Sequence, residues 1–586
     1  MKRQEVSKKK VAMRVAAGVL ALTAVSSLLA FKAMFPHSGE KALDLIPESA
    51  DVVGTLDLDP SPSQALTFAR IASALHKNRF ASSVETAGKE LDKKEPGVSA
   101  IWNLSKHSVS FCALSKPGDT SKKDEHFAIL IPVTDAEKAR AYLVANGKAD
   151  TYQDTPFYAL KSELPNAMLE GDTLILSDQS WVLHEMAKVT RGQEKPVTQV
   201  AGYAEARAQE PRDATLIVVT TPHAANMTQG LLSQRSLGWT TTSITVQSDG
   251  IAFSTNGKVQ PDSDPTTASL ARVKPLRSDL LQVLPAGAYA IYAQSQPGEP
   301  VFAALKSYIG TDKDAAKALT DSDKSSGLNI LNDIQTAMRG DVVFASYPSQ
   351  DPSAGLDFLL VLDNQNGADP ASVAAKFQKY LDRTINPKEG ADNRPWFTSV
   401  PRSDGVEYKL ACDLEKGARS PKGLPIRSNT LLADKTVVWA SINGNEFIAT
   451  SQALLDRTIA AYKGNNPHPL SNDSKLVNSL KTPNGDQILA VASMPRIAEG
   501  LRNTLDDTKM SADSRRLYTM FLDALSQLDK PMQMETAVSP DGTIKANGFL
   551  PIDYVKLIDF FGASKQTYDK ELNPREASMN SDESGA

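Results

Sequence analysis

A short pattern written twice in this chain, and flanked both times by the same succession of further patterns, restricts the fold to one built from two like parts. It reads first IPESADVVGTLDLDP, Ile46 to Pro60, and again LPAGAYAIYAQSQP, Leu284 to Pro297. Each time an apolar residue and a proline introduce a short extended run that ends on another proline. After the first comes SPSQALTFARIASALHKNRF. There Ser61 is placed to cap a helix, Pro62 sits in its first turn and Gln64 completes a capping box, with Phe68, Ile71, Ala72 and Leu75 on one face. After the second comes PGEPVFAALKSYIG, a helix with Phe302, Leu305 and Ile309 on one side and Gly310 as its stop.

The correspondences continue in order. HSVSFCALS (107–115) is answered by DVVFASYPS (341–349), HFAILIPVTD (126–135) by DFLLVLDNQN (357–366), and both are followed by helical stretches, AEKARAYL and ASVAAKFQKYL. TPFYALKS matches GVEYKLAC, and the turns QSDG and SPDG each join two strand-like runs. The spacing between partners widens along the chain, from Phe127 and Phe358, through Tyr158 and Tyr408, Thr173 and Thr436, and Pro222 and Pro495, to Gly250 and Gly542. One unit repeated, with loop insertions in its second copy, has this signature. The units are expected over 44–260 and 276–552, with a polar linker at 261–275 and a disordered tail at 564–586. Strand-like segments outnumber helical ones and short turns join them, so the expected class is α+β: two tandem units, each mostly antiparallel sheet with helices packed on one face.

The first residues set a location. Residues 1–14 carry Lys2, Arg3, Lys8, Lys9, Lys10 and Arg14 against Glu5, and an uncharged run, VAAGVLALTAVSSLLAF, follows before Lys32. Seventeen residues rise about 25 Å as a helix, enough for a thin bilayer once Arg14 and Lys32 snorkel. The run ends LLAFKAMF, a poor cleavage site, and no cysteine follows it, so an uncleaved single-pass signal anchor over 15–35 is expected rather than a removed signal peptide or a lipid anchor. The basic flank keeps the N-terminus cytoplasmic and sends the bulk of the chain outward.

The formal charge of −5 and pI near 5.9 provide no basic field for phosphates, which argues against nucleic acid as a partner. Cys112 and Cys412 are the two cysteines. Each sits in an apolar strand-like run, where a buried thiol is the ordinary outcome, and nothing in the sequence brings them together.

Searching for chemistry returns little. No phosphate-binding glycine loop, dinucleotide fingerprint or nucleophile elbow is present. His184-Glu185 begins like a zinc-protease helix, but position 188 is Lys, and a surface histidine is expected. His107 and His126, answered by Asp341 and Asp357, form a metal pair only if two strand starts meet. Asp57 and Asp59 share a strand face, yet Gln294 and Gln296 stand there in the second copy. The stretch DSDKSSG from Asp321 reads as a loop but lacks the glycine position and closing glutamate of a calcium hand. Trp102, Trp181, Trp239, Trp396 and Trp439 fit packing positions. No catalytic, cofactor-binding or metal-binding residue is assigned, and no cofactor is expected.

The apolar N-terminal run, the opening P-x-x-A-x-x-V-x-x-L-D-L-D-P-S from Pro47, and the later L-P-A-G-A-Y together resemble a bacterial family, domain of unknown function 3352. Glu48-Ser49 depart from that pattern, where Ala and Asp are expected nearby. The resemblance implies a bacterial envelope protein with no assigned reaction, and it brings no active-site residues; the anchor places it in the inner membrane. The leading expectation is a non-enzymatic binding or scaffold protein, periplasmic in bulk, with an envelope protein as partner. A carrier or tether for a lipid or other apolar ligand, and a hydrolase whose residues meet only in the fold, are the alternatives.

Overall fold

The computed structural model of the chain describes residues 40–57, 62–78, 108–116, 125–161, 164–211, 213–224, 238–259, 271–277, 279–299, 313–326, 339–349, 356–363, 397–402, 405–410, 438–464, 486–505 and 512–572, with shorter pieces at 269, 302–303, 306, 310, 329, 331–332, 470, 473 and 476. Among these residues the fold is α+β, with one large antiparallel sheet and helices on both of its faces. The expected anchor over 15–35 lies outside the described residues. No helix among the described residues is long and apolar enough to cross a membrane.

The first half supplies β1 (Val52–Asp57), β2 (Ser108–Ser115), β3 (Glu125–Pro132), β4 (Lys148–Tyr152), β5 (Thr155–Ala159), β6 (Asn166–Glu170), β7 (Thr173–Ser177), β8 (Leu216–Thr220), β9 (Thr240–Gln247) and β10 (Gly250–Lys258). The second supplies β11 (Ala290–Gln294), β12 (Val342–Pro348), β13 (Leu356–Asp363), β14 (Phe397–Arg402), β15 (Gly405–Leu410), β16 (Val438–Ile442), β17 (Asn445–Ala449), β18 (Asp486–Ala492), β19 (Met532–Val538) and β20 (Thr543–Pro551). Every pairing is antiparallel. In space the first ten run β4-β5-β6-β7-β3-β2-β1-β8-β9-β10. The second ten run β14-β15-β16-β17-β13-β12-β11-β18-β19-β20, which is the same order with each strand replaced by the one ten later. The two series meet at a seam where β10 pairs with β20 over nine residues, Gly250↔Pro551 to Lys258↔Thr543.

Turn chemistry makes the hairpins. Gln153 and Asp154, at φ +48° and +69°, form the two-residue turn of β4–β5, a geometry whose twist suits a hairpin. Arg191 steadies it, donating through Nη1 to Gln153 Oε1 at 2.5 Å and through Nη2 to Thr155 Oγ1 at 2.8 Å. Ser248 and Asp249 turn β9 into β10.

Helices were expected on one face, and they occupy both. α1 (Pro62–Lys77) and α2 (Ala136–Asn146) lie in the first half, followed by α3 (Ser180–Thr190) and α4 (Ala201–Arg207). α5 (Asp279–Gln282) and α6 (Lys313–Ser326) come next, then α7 (Gln452–Tyr462), α8 (Met494–Leu505), α9 (Ala512–Ser526) and α10 (Tyr554–Leu572). α3 brings Val182, Leu183 and Met186 onto Cys112, Leu130 and Ile175. α7 does the same with Leu454, Leu455 and Ile459 over Val343, Leu359 and Phe447. α2 covers the reverse face, packing Ala139 and Leu143 on Ile131 and Leu174, the alternate residues of the same strands. The reason is visible in β3, where Ala128, Ile129, Leu130 and Ile131 run without a polar break, as a strand buried on both sides must. Asp135 caps α2 by accepting the Lys138 amide at 3.0 Å, and Ser451 caps α7 through Leu454 N at 3.3 Å.

Several local expectations change. α10 continues through Leu572, inside the segment expected to be disordered, because its apolar side is covered: Tyr554 and Ile558 pack on Phe68, Ile71 and Leu75 of α1. Residues 573–586 lie outside the described residues. Asp321 to Ser326 of the DSDKSSG stretch are helical, in α6. The end of the expected linker is docked on the sheet: Val273 is buried, its carbonyl accepts Gln487 Nε2 at 2.6 Å, and Leu276 N donates to Asp486 O at 2.8 Å. Gln64, read as a capping residue, donates from Nε2 to Asp213 O and Val246 O at 3.2 and 2.9 Å, tying α1 to the sheet.

Gly250 opens β10 at the seam with no room for a side chain. A Cβ there would stand 2.3 Å from the Leu550 carbonyl oxygen, part of a backbone that cannot swing aside. Gly250→Ala is therefore expected to cost about 1–3 kcal/mol and to lower the melting temperature measured by circular dichroism. Gly310→Ala, with nothing within 4 Å, is the neutral control.

Candidate functional site

Where the halves join, four pieces of chain converge without closing on one another. They are α1, the β9–β10 turn, the loop from α9 into β19, and the corner from β20 into α10, and they leave a cleft of about 380 Å³. Its floor is apolar, made by Ile71, Leu528, Ile552 and Val555; its rim carries Arg70, Asp249, Asp529, Lys530 and Asp553. An apolar base with a few polar groups above it is the usual composition of a small-molecule site.

Hydrogen bonds hold this shape. The Tyr554 hydroxyl donates to the Gly250 carbonyl at 2.5 Å, and Ile552 N donates to Asp249 O at 2.9 Å, so each half grips the other at the turn. Burial, and then the Asp249 charge, push the Tyr554 phenol up, which keeps it a neutral donor. Lys530 Nζ lies 2.7 Å from Asp249 Oδ2 and 5.2 Å from the centre of the Phe549 ring. Lys556 pairs with Asp553 at 3.0 Å and donates to Gln527. The Tyr554 hydroxyl is committed to a carbonyl, so what the cleft offers a ligand is charge and apolar surface.

The sequence candidates lie elsewhere. His107 is outside the described residues, and its neighbour Ser108 stands at the opposite end of the β2–β3 pair from His126, which faces Leu114. Asp341 and Asp357 are separated in the same way, since Tyr347 faces Asp357 and Val342 faces Leu362. In an antiparallel pair two strand starts are at opposite ends, so Asp341 and Asp357 do not meet as a metal pair. His126 Nδ1 instead meets Asp178 Oδ2 at 2.8 Å, and Asp357 Oδ2 accepts from Ser451 Oγ at 2.9 Å. His184 is half-buried on α3: its ring stacks on Tyr152 at 3.8 Å and meets the edge of Phe157, because the β4–β5 hairpin folds over α3. Burial lowers its pKa. Glu185 beside it pairs with Lys188 at 2.7 Å.

Asp57 ends β1 opposite Ser108, while Asp59 lies outside the described residues. Gln294 ends β11, and Gln296 accepts the Lys274 amide at 3.2 Å. Cys112 is fully buried and its thiol pushed far up by burial; Cys412 lies outside the described residues. Trp181 and Trp239 flank the first-half core and Trp439 is buried, its Nε1 donating to Glu446 Oε2 at 2.5 Å; Trp102 and Trp396 lie outside the described residues. Among the described residues no group of three or more His, Cys, Asp or Glu is placed to hold a metal ion.

The sequence marked Asp341 only as half of a metal pair and passed over Asp486. Asp341 is buried, accepting Arg277 N at 2.7 Å and Ser295 Oγ at 2.8 Å, while Arg277 Nη1 reaches Asp363 Oδ2 at 2.8 Å. Burial raises the Asp341 carboxyl. The register that sets position 341 opposite 363 is needed to see this cluster. Asp486 is buried at the start of β18, and its Oδ2 has no hydrogen-bond donor. Burial and the Glu535 charge push it up to about 6.

A family model described as a protein of unknown function, DUF3352, matches residues 13–386, more than half of the chain. The chain belongs to that family. The DUF3352 match ends beyond β13 and short of β14, so it takes in α1 and the β9–β10 turn of the cleft but not α9, β20 or α10. No curated protein matches the chain. Among solved structures, crystal form III of TP0453 is similar at 10% identity and a TM-score of 0.24, over 41% of this chain and 88% of that one. Crystal form I of TP0453 gives 10% and 0.23, over 38% and 79%. Likeness at that level carries no argument about fold or function.

Two measurements follow from the acid and the phenol. Asp486 has its folded pKa raised above the ordinary carboxylate value, so its contribution is present below about pH 4 and lost as pH rises through about 6. Asp486→Asn is expected to raise the melting temperature relative to the parent above pH 6 and to match it near pH 4. Tyr554→Phe leaves the Gly250 carbonyl without its donor and is expected to cost about 1–3 kcal/mol in denaturant unfolding.

Proposed function

We propose that this chain is a non-enzymatic protein of the bacterial envelope, anchored in the inner membrane by residues 15–35, in which two copies of one unit form an extracytoplasmic scaffold for a partner protein. The repeated strand order supports the duplication, and so do matching hydrogen bonds outside the strands. Asp51 N to Ala113 O, 2.9 Å, is answered by Tyr289 N to Ser346 O, 2.7 Å; Thr221 N to Asp51 O by Ser493 N to Tyr289 O; and Val197 N to Ile46 O by Leu470 N to Leu284 O. Phe127 and Phe358 hold like places, each accepting an amide, from Asp178 at 3.4 Å and from Thr450 at 3.0 Å. Three pairings inferred from sequence move: the strand registers match Thr173 with Asn445 rather than Thr436, Pro222 with Met494 rather than Pro495, and Gly250 with Thr543 rather than Gly542.

The observation that carries the scaffold reading is the unbroken ladder from β4 to β14. Twenty strands at about 4.8 Å span roughly 90 Å along the ladder, a long platform with like ends. Among the described residues β4 pairs only with β5 and β14 only with β15. Both edges are blunted against self-association, β4 by Asp150, whose carboxylate takes the Thr151 amide at 2.7 Å, and β14 by Pro401. The anchor rests on the basic flank and the apolar run, and the family match begins at residue 13, at the edge of that run.

A phosphatase that is active only outside the cytoplasm, fused after residue 586, is expected to be active on the full chain. Removing residues 1–35 behind a cleavable export signal is expected to release the protein from the membrane fraction. Crosslinking in whole cells followed by purification of the full chain should enrich a protein partner over an anchor-only control. An inactive phosphatase overturns the topology, and an empty enrichment overturns the scaffold.

A further inference from the structure

We propose that the seam cleft binds a small zwitterion with an apolar body, its anionic group taken by Arg70 and its ammonium group by Asp529. Five charged side chains line the cleft, and three have their partners: Lys530 and Asp249 have each other, and Asp553 has Lys556. Arg70 and Asp529 are left over. Among the described residues neither has an opposite charge within ion-pair distance, although both border the same cavity. Arg70 stands on α1 in the first half and Asp529 on the loop between α9 and β19 in the second, so the pair exists only because the halves are joined.

The chemistry of each end is selective. A guanidinium presents a planar fork of donors that matches a carboxylate or a phosphate, and an ionised carboxylate only accepts, so it requires an N–H or O–H. An anion alone would sit against Arg70 with Asp529 repelling it, and a cation alone would meet the reverse. A molecule carrying both groups satisfies both walls while its methylenes cover Ile71, Leu528 and Ile552. At about 380 Å³ the cleft is near the lower end of ligand pockets and admits something the size of an amino acid or a lipid headgroup. A free apolar amino acid and a zwitterionic phosphoethanolamine headgroup share this chemistry.

The test is calorimetric titration of the full chain, in a detergent with an uncharged head, with L-leucine and with glycerophosphoethanolamine. Hexanoate and hexylamine serve as single-charge controls. At least one zwitterion is expected to bind, with each control weaker by about tenfold or more, and whichever zwitterion binds more tightly identifies the source. Arg70→Ala and Asp529→Ala, both at exposed positions, are each expected to weaken binding about tenfold or more, while Lys77→Ala on the same helix changes nothing. Failure of both zwitterions to bind overturns the assignment. So does a control that binds equally well, or either alanine variant keeping the parent affinity.

Discussion

The ladder between β10 and β20 joins nine residue pairs, and through it the hydrogen bonding of the first ten strands passes into the second ten without interruption. Two strands that occupy the same place in two like series, when paired antiparallel, are related by a local twofold axis between them. The axis here passes near Ser254 and Asn547, which face each other at the middle of the ladder. On one face of the seam α10 lies against α1 and buries Phe68, Ile71 and Leu75, side chains worth roughly 1.5–3 kcal/mol each when fully removed from water. The ladder and the helix pair both fasten the halves, and the cleft lies beside them.

At the seam β9 and β10 carry Thr241 and Asn256, both donating to the buried carboxylate of Glu210. A buried carboxylate accepting from two neighbouring strands fixes their register more sharply than apolar contact does, because a one-residue slip would strand its charge. Register matters most there, since β10 must present the correct edge to β20.

Much of the local structure was legible in the chain. The strands around Phe111, Phe127, Tyr158 and Tyr408, the helix from Pro62 and the Asp-Gly turns follow from period and turn chemistry. The repeated succession of patterns was legible as well. What could not be read was which partner each strand would take: QSDGIAFSTNGKV and SPDGTIKANGFLP are recognisably alike, but nothing local says that they pair with each other. The second layer of helices was signalled only by the unbroken apolar run Ala128–Ile131, and the helical end at Leu572 depends on a surface supplied by α1, some five hundred residues earlier. Arg70 and Asp529 read as ordinary surface charges for the same reason. A cleft between distant segments leaves no mark in either one.

The order of synthesis turns the seam into a waiting period. β10 is complete at Lys258, but its partner begins only at Thr543, and the helix that covers α1 comes later still. At about 5–20 residues per second the first half spends roughly 15–60 s with an unpaired strand and a bare apolar helix face. A nascent chain in that state is exposed to wrong pairing, so safe assembly of this protein depends on what shields β10 until the last hairpin arrives.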